Sequence, residues 1–247
     1  MGLIDKYKAY QANREEKRIE KACKLVKNPK AIKEDRWAAI KFLAESAEGP
    51  ERVVKAILPR FEYSLEHGIL DSREKDLALK GLIRIGEAGV PFIEEWIKST
   101  DRIAWPIKAL REVTSEEKLV ASLKSALNFE DVRFDQAKVD KNYDILCYLR
   151  DYKLEGYEES IGHFLNDVDE RVRFAAAEAL IEQESDKVAS LLEPFLLDEA
   201  VENRRIKEAT ILAFIKHSWS VGDLSKYSDV IISEQVGLDK QGHLVSR

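Results

Sequence analysis

The chain has 247 residues, of which 45% are hydrophobic and 35% are charged, and its formal net charge is −6. It contains 11 glycines and 6 prolines, too few for the frequent turns of all-β or α/β folds. No stretch approaches the roughly 18 consecutive apolar residues of a transmembrane helix, and the N-terminus lacks the apolar core of a signal peptide. We therefore expect an all-α cytoplasmic protein that does not bind membranes.

The first predicted element is one long helix over residues 3–27, rich in lysine and glutamate. Its charges alternate in sign, which favours a self-paired capping helix over a nucleic-acid surface. We assign residues 1–29 to this N-terminal capping helix, 30–217 to an array of helix pairs, and 218–247 to a C-terminal cap or tail.

Short amphipathic helices follow one another in pairs along the array. The clearest first helix starts after Asp169, whose carboxylate can accept the unpaired N–H groups of the first turn. A second helix with the same spacing follows it, and two such helices bury their apolar faces only by stacking on neighbouring pairs. Trp37 and Trp105 fall within the core patterns of other first helices. The core residues of the clearest helix lie three and one apart, as on one helix face: Val172, Ala175, Ala176, Ala179 and Leu180.

An apolar anchor recurs in each predicted first helix, at intervals of 28 to 39 residues. Such a variable period is ordinary for degenerate helical repeats. The segment from Asp169 to Leu180 resembles the first helix of a HEAT repeat, and residues 86–93 (GEAGVPFI) resemble the turn and second helix of one. The resemblance implies a right-handed α-α superhelix, a HEAT-like solenoid of about six helix pairs. The anchors are Leu43, Leu82, Leu110, Leu149, Leu180 and Ala213.

The C-terminal segment has a different pattern. Residues 236–245 alternate between apolar and polar side chains, which predicts a small hairpin with its turn at 240–242. A loose tail is the alternative interpretation.

No part of the chain has the spacing of a catalytic or metal site. None of the four histidines has a second histidine or a cysteine at ligand spacing. HEAT-like deoxyhypusine hydroxylases bind iron through His-Glu pairs, whereas these histidines precede Gly, Phe, Ser and Leu. The chain also lacks a glycine-rich phosphate loop and a nucleophile elbow. The sequence therefore predicts a non-enzyme without cofactor, metal or small-molecule substrate.

The predicted partner-binding surface lies on the second helices, which line the concave side of HEAT-like solenoids. Aromatic and arginine side chains dominate binding hot spots, so those on second helices are the predicted contacts. For Trp96, a wedge between repeats is the alternative interpretation. The predicted contacts are Arg60, Tyr63, His67, Phe92 and Trp96.

Charge is unevenly distributed along the chain. Residues 1–30 hold nine Lys or Arg against four Asp or Glu, whereas residues 151–200 hold four against fourteen. An acidic zone attracts basic surfaces and repels phosphate backbones. We therefore predict that Glu178, Glu182 and Glu184 contact a protein with a basic surface, and we do not expect nucleic acid as a partner.

These observations favour a non-catalytic scaffold or adaptor that binds another protein. Two alternatives come from other HEAT-like and helical-repeat proteins. One is a lyase-type subunit similar to the phycobilin lyases. The other is a nucleic-acid-binding solenoid similar to the alkylpurine DNA glycosylases, which need a basic concave face that a sequence pI of about 5.5 does not favour.

Overall fold

The computed structural model describes residues 3–46, 49–130, 135–227, 232 and 235–246. These residues are mostly helical with a single short hairpin, so the all-α prediction is confirmed. The chain divides into two compact units, which we call unit 1 (residues 1–122) and unit 2 (residues 123–247). Within the described ranges no helix is both long and apolar enough to cross a membrane.

Unit 1 contains two rows of helices. Its elements are α1 (Leu3–Lys27), α2 (Lys33–Ala44), α3 (Pro50–Ile57) with a 3-10 helix (Leu58–Glu62), α4 (Gly68–Ile85) with a 3-10 helix (Gly86–Gly89), α5 (Val90–Ser99) and α6 (Ala104–Val113). Helices α1, α2, α4 and α6 pack in that order in one row, and α3 packs on α5 in the other. Helix α7 (Glu116–Ser125) crosses the boundary between the units.

Proline and glycine set the helix ends and spacing of unit 1. Helix α3 begins at Pro50, whose missing N–H would have no helical partner in the first turn. Helix α4 ends at Ile85, and the residue that follows, Gly86, has a φ of 69°, a conformation that glycine adopts without strain. A Cβ on Gly81 would lie 2.7 Å from the Cβ of Ala44, so this glycine allows α2 and α4 to approach closely.

Unit 2 repeats the two-row arrangement. Its elements are α8 (Gln136–Leu149), α9 (Glu158–Gly162) with a 3-10 helix (His163–Asn166), α10 (Glu170–Ile181), α11 (Asp186–Leu192) with a 3-10 helix (Glu193–Leu196), a 3-10 helix (Val201–Asn203), α12 (Arg204–His217), a 3-10 helix (Leu224–Tyr227), β1 (Val236–Leu238) and β2 (Leu244–Ser246). Helices α8, α10 and α12 pack in one row, and α9 packs on α11 in the other.

Helix α10 is the first helix that the sequence predicts after Asp169. The Asp169 carboxylate accepts the N–H of Arg171 at 2.8 Å, and the five predicted core residues are at most 2% exposed. Ala177 is also fully buried, although it lies off the predicted face. The reason is that α10 packs against α8, α9 and α12, so more than one of its faces is covered.

The six predicted anchors are buried, whereas the prediction that Trp37 belongs to a core pattern is wrong. All six anchors are at most 1% exposed. Trp37 is 37% exposed, because the buried stripe of α2 runs through Arg36, Ala39, Ile40 and Leu43. Trp105 is half-buried and stacks on Phe61 with ring centroids 5.9 Å apart.

One arginine contact occurs in both units. Arg36 and Arg173 begin the similar segments RWAAIKFL and RFAAAEAL. Each donates Nη1 to two carbonyl groups of the turn before its own helix: Pro29 and Ala31 at 3.2 and 2.8 Å, and Asp167 and Val168 at 2.9 and 3.1 Å. Each also donates Nε toward the next first helix, to Glu74 at 2.8 Å and to Asn203 at 3.0 Å. We call this arrangement the arginine latch.

The predicted C-terminal hairpin is present. Strands β1 and β2 pair antiparallel, with Leu238 opposite Leu244, and Gly242 in the turn has a φ of 87°. The hairpin is attached to unit 2 through Leu244, which is buried, and through the N–H of Val221, which donates to the carbonyl of Gly242 at 2.9 Å. This segment therefore forms the predicted hairpin and not a loose tail.

Candidate functional site

The structure does not place Arg60 on a binding surface, so that part of the predicted partner site is wrong. Its side chain is fully buried. Nε donates to Glu74 Oε2 at 2.9 Å, and Nη2 donates to Asp71 Oδ1 at 2.7 Å. Arg60 belongs to the 3-10 helix that follows α3, and from there its side chain reaches α4, where these carboxylates lie.

Arg60 is one member of a buried ion cluster, which consists of Arg36, Arg60, Asp71, Glu74 and Lys75. Arg36 makes a two-pronged contact with Glu74, Nε to Oε2 at 2.8 Å and Nη2 to Oε1 at 2.9 Å. Lys75 Nζ lies 2.7 Å from Asp71 Oδ2. All five side chains are at most 12% exposed. The cluster thus joins α2, α4 and the turn after α3 through charge-assisted hydrogen bonds.

Tyr63 and His67 also differ from one another in environment. The Tyr63 hydroxyl donates to the carbonyl of Val26 on α1 at 2.6 Å, and the Arg60 guanidinium lies 4.5 Å from the centre of its ring. His67 is exposed, directly before α4. Of the three predicted residues on this segment, only His67 is on the open surface, while Tyr63 and Arg60 connect helices of unit 1.

Phe92 and Trp96 lie one turn apart on α5, and both are half-buried. Lys55 on α3 places its ammonium group 5.7 Å from the centre of the Phe92 ring, and it also pairs with Glu51 and Glu95 at 2.9 and 3.7 Å. The indole N–H of Trp96 is buried and has no hydrogen-bond partner among the residues that the structure describes. Its burial favours the wedge interpretation for Trp96, and Phe92 is the aromatic residue of this pair that lies beside exposed charges.

The three predicted glutamates of unit 2 are near one another in sequence but have different partners. Glu178 is half-buried and lies 3.6 Å from Arg150, which follows α8. Glu182 is exposed and pairs with Lys216 on α12 at 3.2 Å. Glu184 is exposed and has no ion pair within the described part of unit 2. Two of the three therefore connect α10 to its neighbours, and Glu184 remains open to solvent.

Other carboxylates of unit 2 share the situation of Glu184. They are exposed, and among residues 135–227 they have neither an ion pair nor a side-chain hydrogen bond to the protein. Arg171, a basic residue of the same unit, is already paired with Asp169 and Asp140 at 2.9 Å each. These open carboxylates are Glu155, Glu159, Glu170, Glu184, Asp186, Glu199 and Glu202.

Neither cysteine has the environment of a nucleophile. Cys23 and Cys147 are half-buried and free, and burial raises the pKa of each thiol above its ordinary value. A raised pKa lowers the fraction of thiolate, which is the reactive form. Across the described residues, no three His, Cys, Asp or Glu side chains are grouped so that they could hold a metal ion.

Comparison of the chain with protein-family models, with curated proteins and with solved structures finds no match in any of the three.

The ion cluster predicts a large effect of removing its central charge. Glu74→Gln leaves two buried guanidinium groups without their shared carboxylate, so we expect the free energy of unfolding to fall by about 3–5 kcal/mol. Glu66→Gln is the matched control, because Glu66 is exposed and surface changes usually stay within about 0.5 kcal/mol. Urea denaturation of both variants measures the difference. Equal stabilities of the two would contradict a structural role for the cluster.

Asp71 makes the stability of the cluster depend on pH. Burial by itself raises the pKa of Asp71, but hydrogen bonds from Lys75 and Arg60 outweigh burial and hold the pKa below its ordinary value of 3.8. A lowered folded-state pKa stabilises the protein above the unfolded-state pKa, and this contribution disappears as the pH falls through the folded-state pKa.

We therefore expect the stability difference between the wild type and Asp71→Asn to be constant above about pH 5 and to shrink below about pH 4. Asp76→Asn is the control on the same helix, because Asp76 is exposed. Its difference from the wild type should change little over this range. Urea denaturation at each pH measures both, and a difference for Asp71→Asn that stays constant or grows in acid would show that Asp71 is not stabilised as a carboxylate.

Proposed function

We propose that the chain is a HEAT-like repeat protein, in which about six helix pairs form a right-handed α-α superhelix. Three observations support the proposal. The described helices pack in two rows within each unit, the recurring anchors are all buried, and the arginine latch has the same geometry at Arg36 and Arg173. A contact that recurs with the same partners in the turn is expected of a repeated structural unit.

Ala179→Asp tests whether the pairs behave as an array. Ala179 is fully buried in α10, so a carboxylate there should cost about 3 kcal/mol or more. Because each repeat of an array contacts only its neighbours, hydrogen exchange should rise over residues 158–217 and stay unchanged over 33–62. Ala38→Asp is the control, at an exposed position of α2, with an expected cost below about 0.7 kcal/mol. Uniform loss of protection along the chain would show one cooperative unit instead.

The function that these features support best is a non-catalytic cytoplasmic scaffold that binds another protein through a basic surface. The observation that carries this proposal is the set of open carboxylates on unit 2, which are exposed and unpaired within the described residues. Open carboxylates of one sign steer an oppositely charged partner toward the surface and raise the association rate. In unit 1, Phe92 beside Lys55 offers an aromatic contact with neighbouring charges.

The experiment has two steps, capture and kinetics. The full chain is used as bait in an extract of its native host, and the captured proteins are identified by mass spectrometry and purified. The association rate of the purified partner is then measured with the double variant Glu184→Lys and Asp186→Lys. We expect a rate about tenfold lower at low salt, with the difference disappearing as salt screens the charges.

Glu66→Lys with Glu87→Lys is the matched control, since both residues are exposed and lie in unit 1. This double variant makes the same change in net charge and should leave the association rate close to that of the wild type. An unchanged rate for the unit 2 variant would overturn the steering role. Micromolar binding of duplex DNA or single-stranded RNA with a steep salt dependence would instead favour a nucleic-acid-binding protein.

A further inference from the structure

Unit 2 contains a cavity of about 400 Å³. None of the partner contacts predicted from the sequence is part of its lining. It lies where the 3-10 helix that ends the α9 segment comes close to α11 and its own 3-10 helix. Apolar side chains of Leu165, Leu191 and Phe195 form part of its wall, and Asp198 and Glu202 contribute carboxylates. The cavity thus combines apolar surface with two acidic groups.

The corresponding place in unit 1 holds a buried guanidinium. There Arg60, which follows Pro59 in the 3-10 helix after α3, donates to Glu74, the carboxylate on α4 that the latch arginine Arg36 also contacts. In unit 2 the 3-10 helix after α11 also has a proline at its second position, Pro194, and the residue after it is Phe195. The position after this proline is therefore occupied by an arginine, Arg60, in unit 1 and by an aromatic residue, Phe195, in unit 2. Phe195 lines the cavity.

The charges around the cavity favour a cation. Asp198 accepts the N–H of Ala200 at 2.8 Å and the side-chain N–H of Asn203 at 2.7 Å, and each carboxylate oxygen can accept a further hydrogen bond. Glu202 is exposed and has no ion pair within the described part of unit 2.

One cation also lines the cavity, and it is already engaged. Arg173 donates Nε to Asn203 and Nη1 to the carbonyls of Asp167 and Val168. With two carboxylates and one guanidinium, the lining carries one net negative charge. The acidic composition of residues 151–200 has the same sign.

We propose that this cavity binds an arginine side chain exposed on a protein partner. The proposal rests on the protein-binding function proposed above and gives it a specific contact. The methylene groups of the arginine pack on Leu165, Leu191 and Phe195, as long charged side chains do on apolar surfaces. The planar guanidinium presents several N–H groups at once to Asp198 and Glu202, which an ammonium group cannot do in the same geometry.

The test is a titration of the full chain with acetyl-arginine amide, followed by the shifts of backbone amides in NMR spectra. A ligand of this size should bind with a Kd of about 1 mM, and the shifts should concentrate at residues 162–166 and 191–203. Acetyl-citrulline amide is the matched probe, because it has nearly the same shape and no charge. Acetyl-lysine amide and acetyl-glutamate amide complete the series.

Two variants test whether the Glu202 carboxylate contributes to binding of the arginine probe. Glu202→Gln should weaken binding of the arginine probe about threefold to fivefold. Glu208→Gln makes the same change in net charge at an exposed residue of α12 that does not line the cavity, and it should leave the affinity for the arginine probe unchanged.

Preferential binding of acetyl-arginine amide with shifts at the cavity and an effect of Glu202→Gln alone would support the proposal. Equal binding of the citrulline probe, preference for the lysine or glutamate probe, equal effects of the two variants, or no saturable shifts at the cavity would each overturn it. The titration needs no partner protein. Its failure therefore overturns the cavity proposal alone, whereas failure of the capture experiment overturns the scaffold proposal.

Discussion

The packing of unit 1 depends on the hydrogen bonds that the Glu74 carboxylate accepts from two buried arginines. It accepts hydrogen bonds from Arg36 on α2 and from Arg60 after α3, and it belongs to α4. Two guanidinium groups in an apolar interior are tolerated because this carboxylate, with Asp71, neutralises and hydrogen-bonds them. The helices that carry these residues are thereby held in one relative position. Apolar side chains alone, which pack in several nearly equivalent ways, do not specify that position as closely.

The arginine latch is a local structure that the two units share. The side chains around it differ between the units. Arg36 and Arg173 both reach back to the carbonyls of the turn before their helices, so each turn is held to the helix that follows it. In unit 1 the latch continues into a closed ion cluster. In unit 2 the latch ends at the neutral side chain of Asn203, and the neighbouring space is a cavity that Asp198 and Glu202 line. The same local contact of an arginine with its preceding turn therefore adjoins a closed ion cluster in unit 1 and a cavity in unit 2.

The side chains that a sequence pattern marks as binding residues divide, in the structure, into those that join helices and those that face solvent. The Arg60 guanidinium and the Trp96 indole N–H are buried within unit 1, and the Tyr63 hydroxyl donates to α1, so these side chains serve packing. His67 and Glu184 are exposed. The scaffold proposal consequently depends more on the acidic surface of unit 2 than on an aromatic surface of unit 1.

The sequence by itself determined the helical class, the first-helix anchors, the cap at Asp169 and the C-terminal hairpin, because each of these follows from local spacing and from the conformational preferences of nearby residues. It also contained a signal for the ion cluster, since Asp71, Glu74 and Lys75 lie on the same helical stripe as the buried Ala78, although charged residues on a core stripe do not reveal their partners. Only the tertiary structure decided that Arg60 is buried, that Trp37 is exposed, and that Asp198 and Glu202 share a cavity with Phe195. These outcomes depend on which distant segments meet, and the free energy of burying or exposing a charge is set by those neighbours.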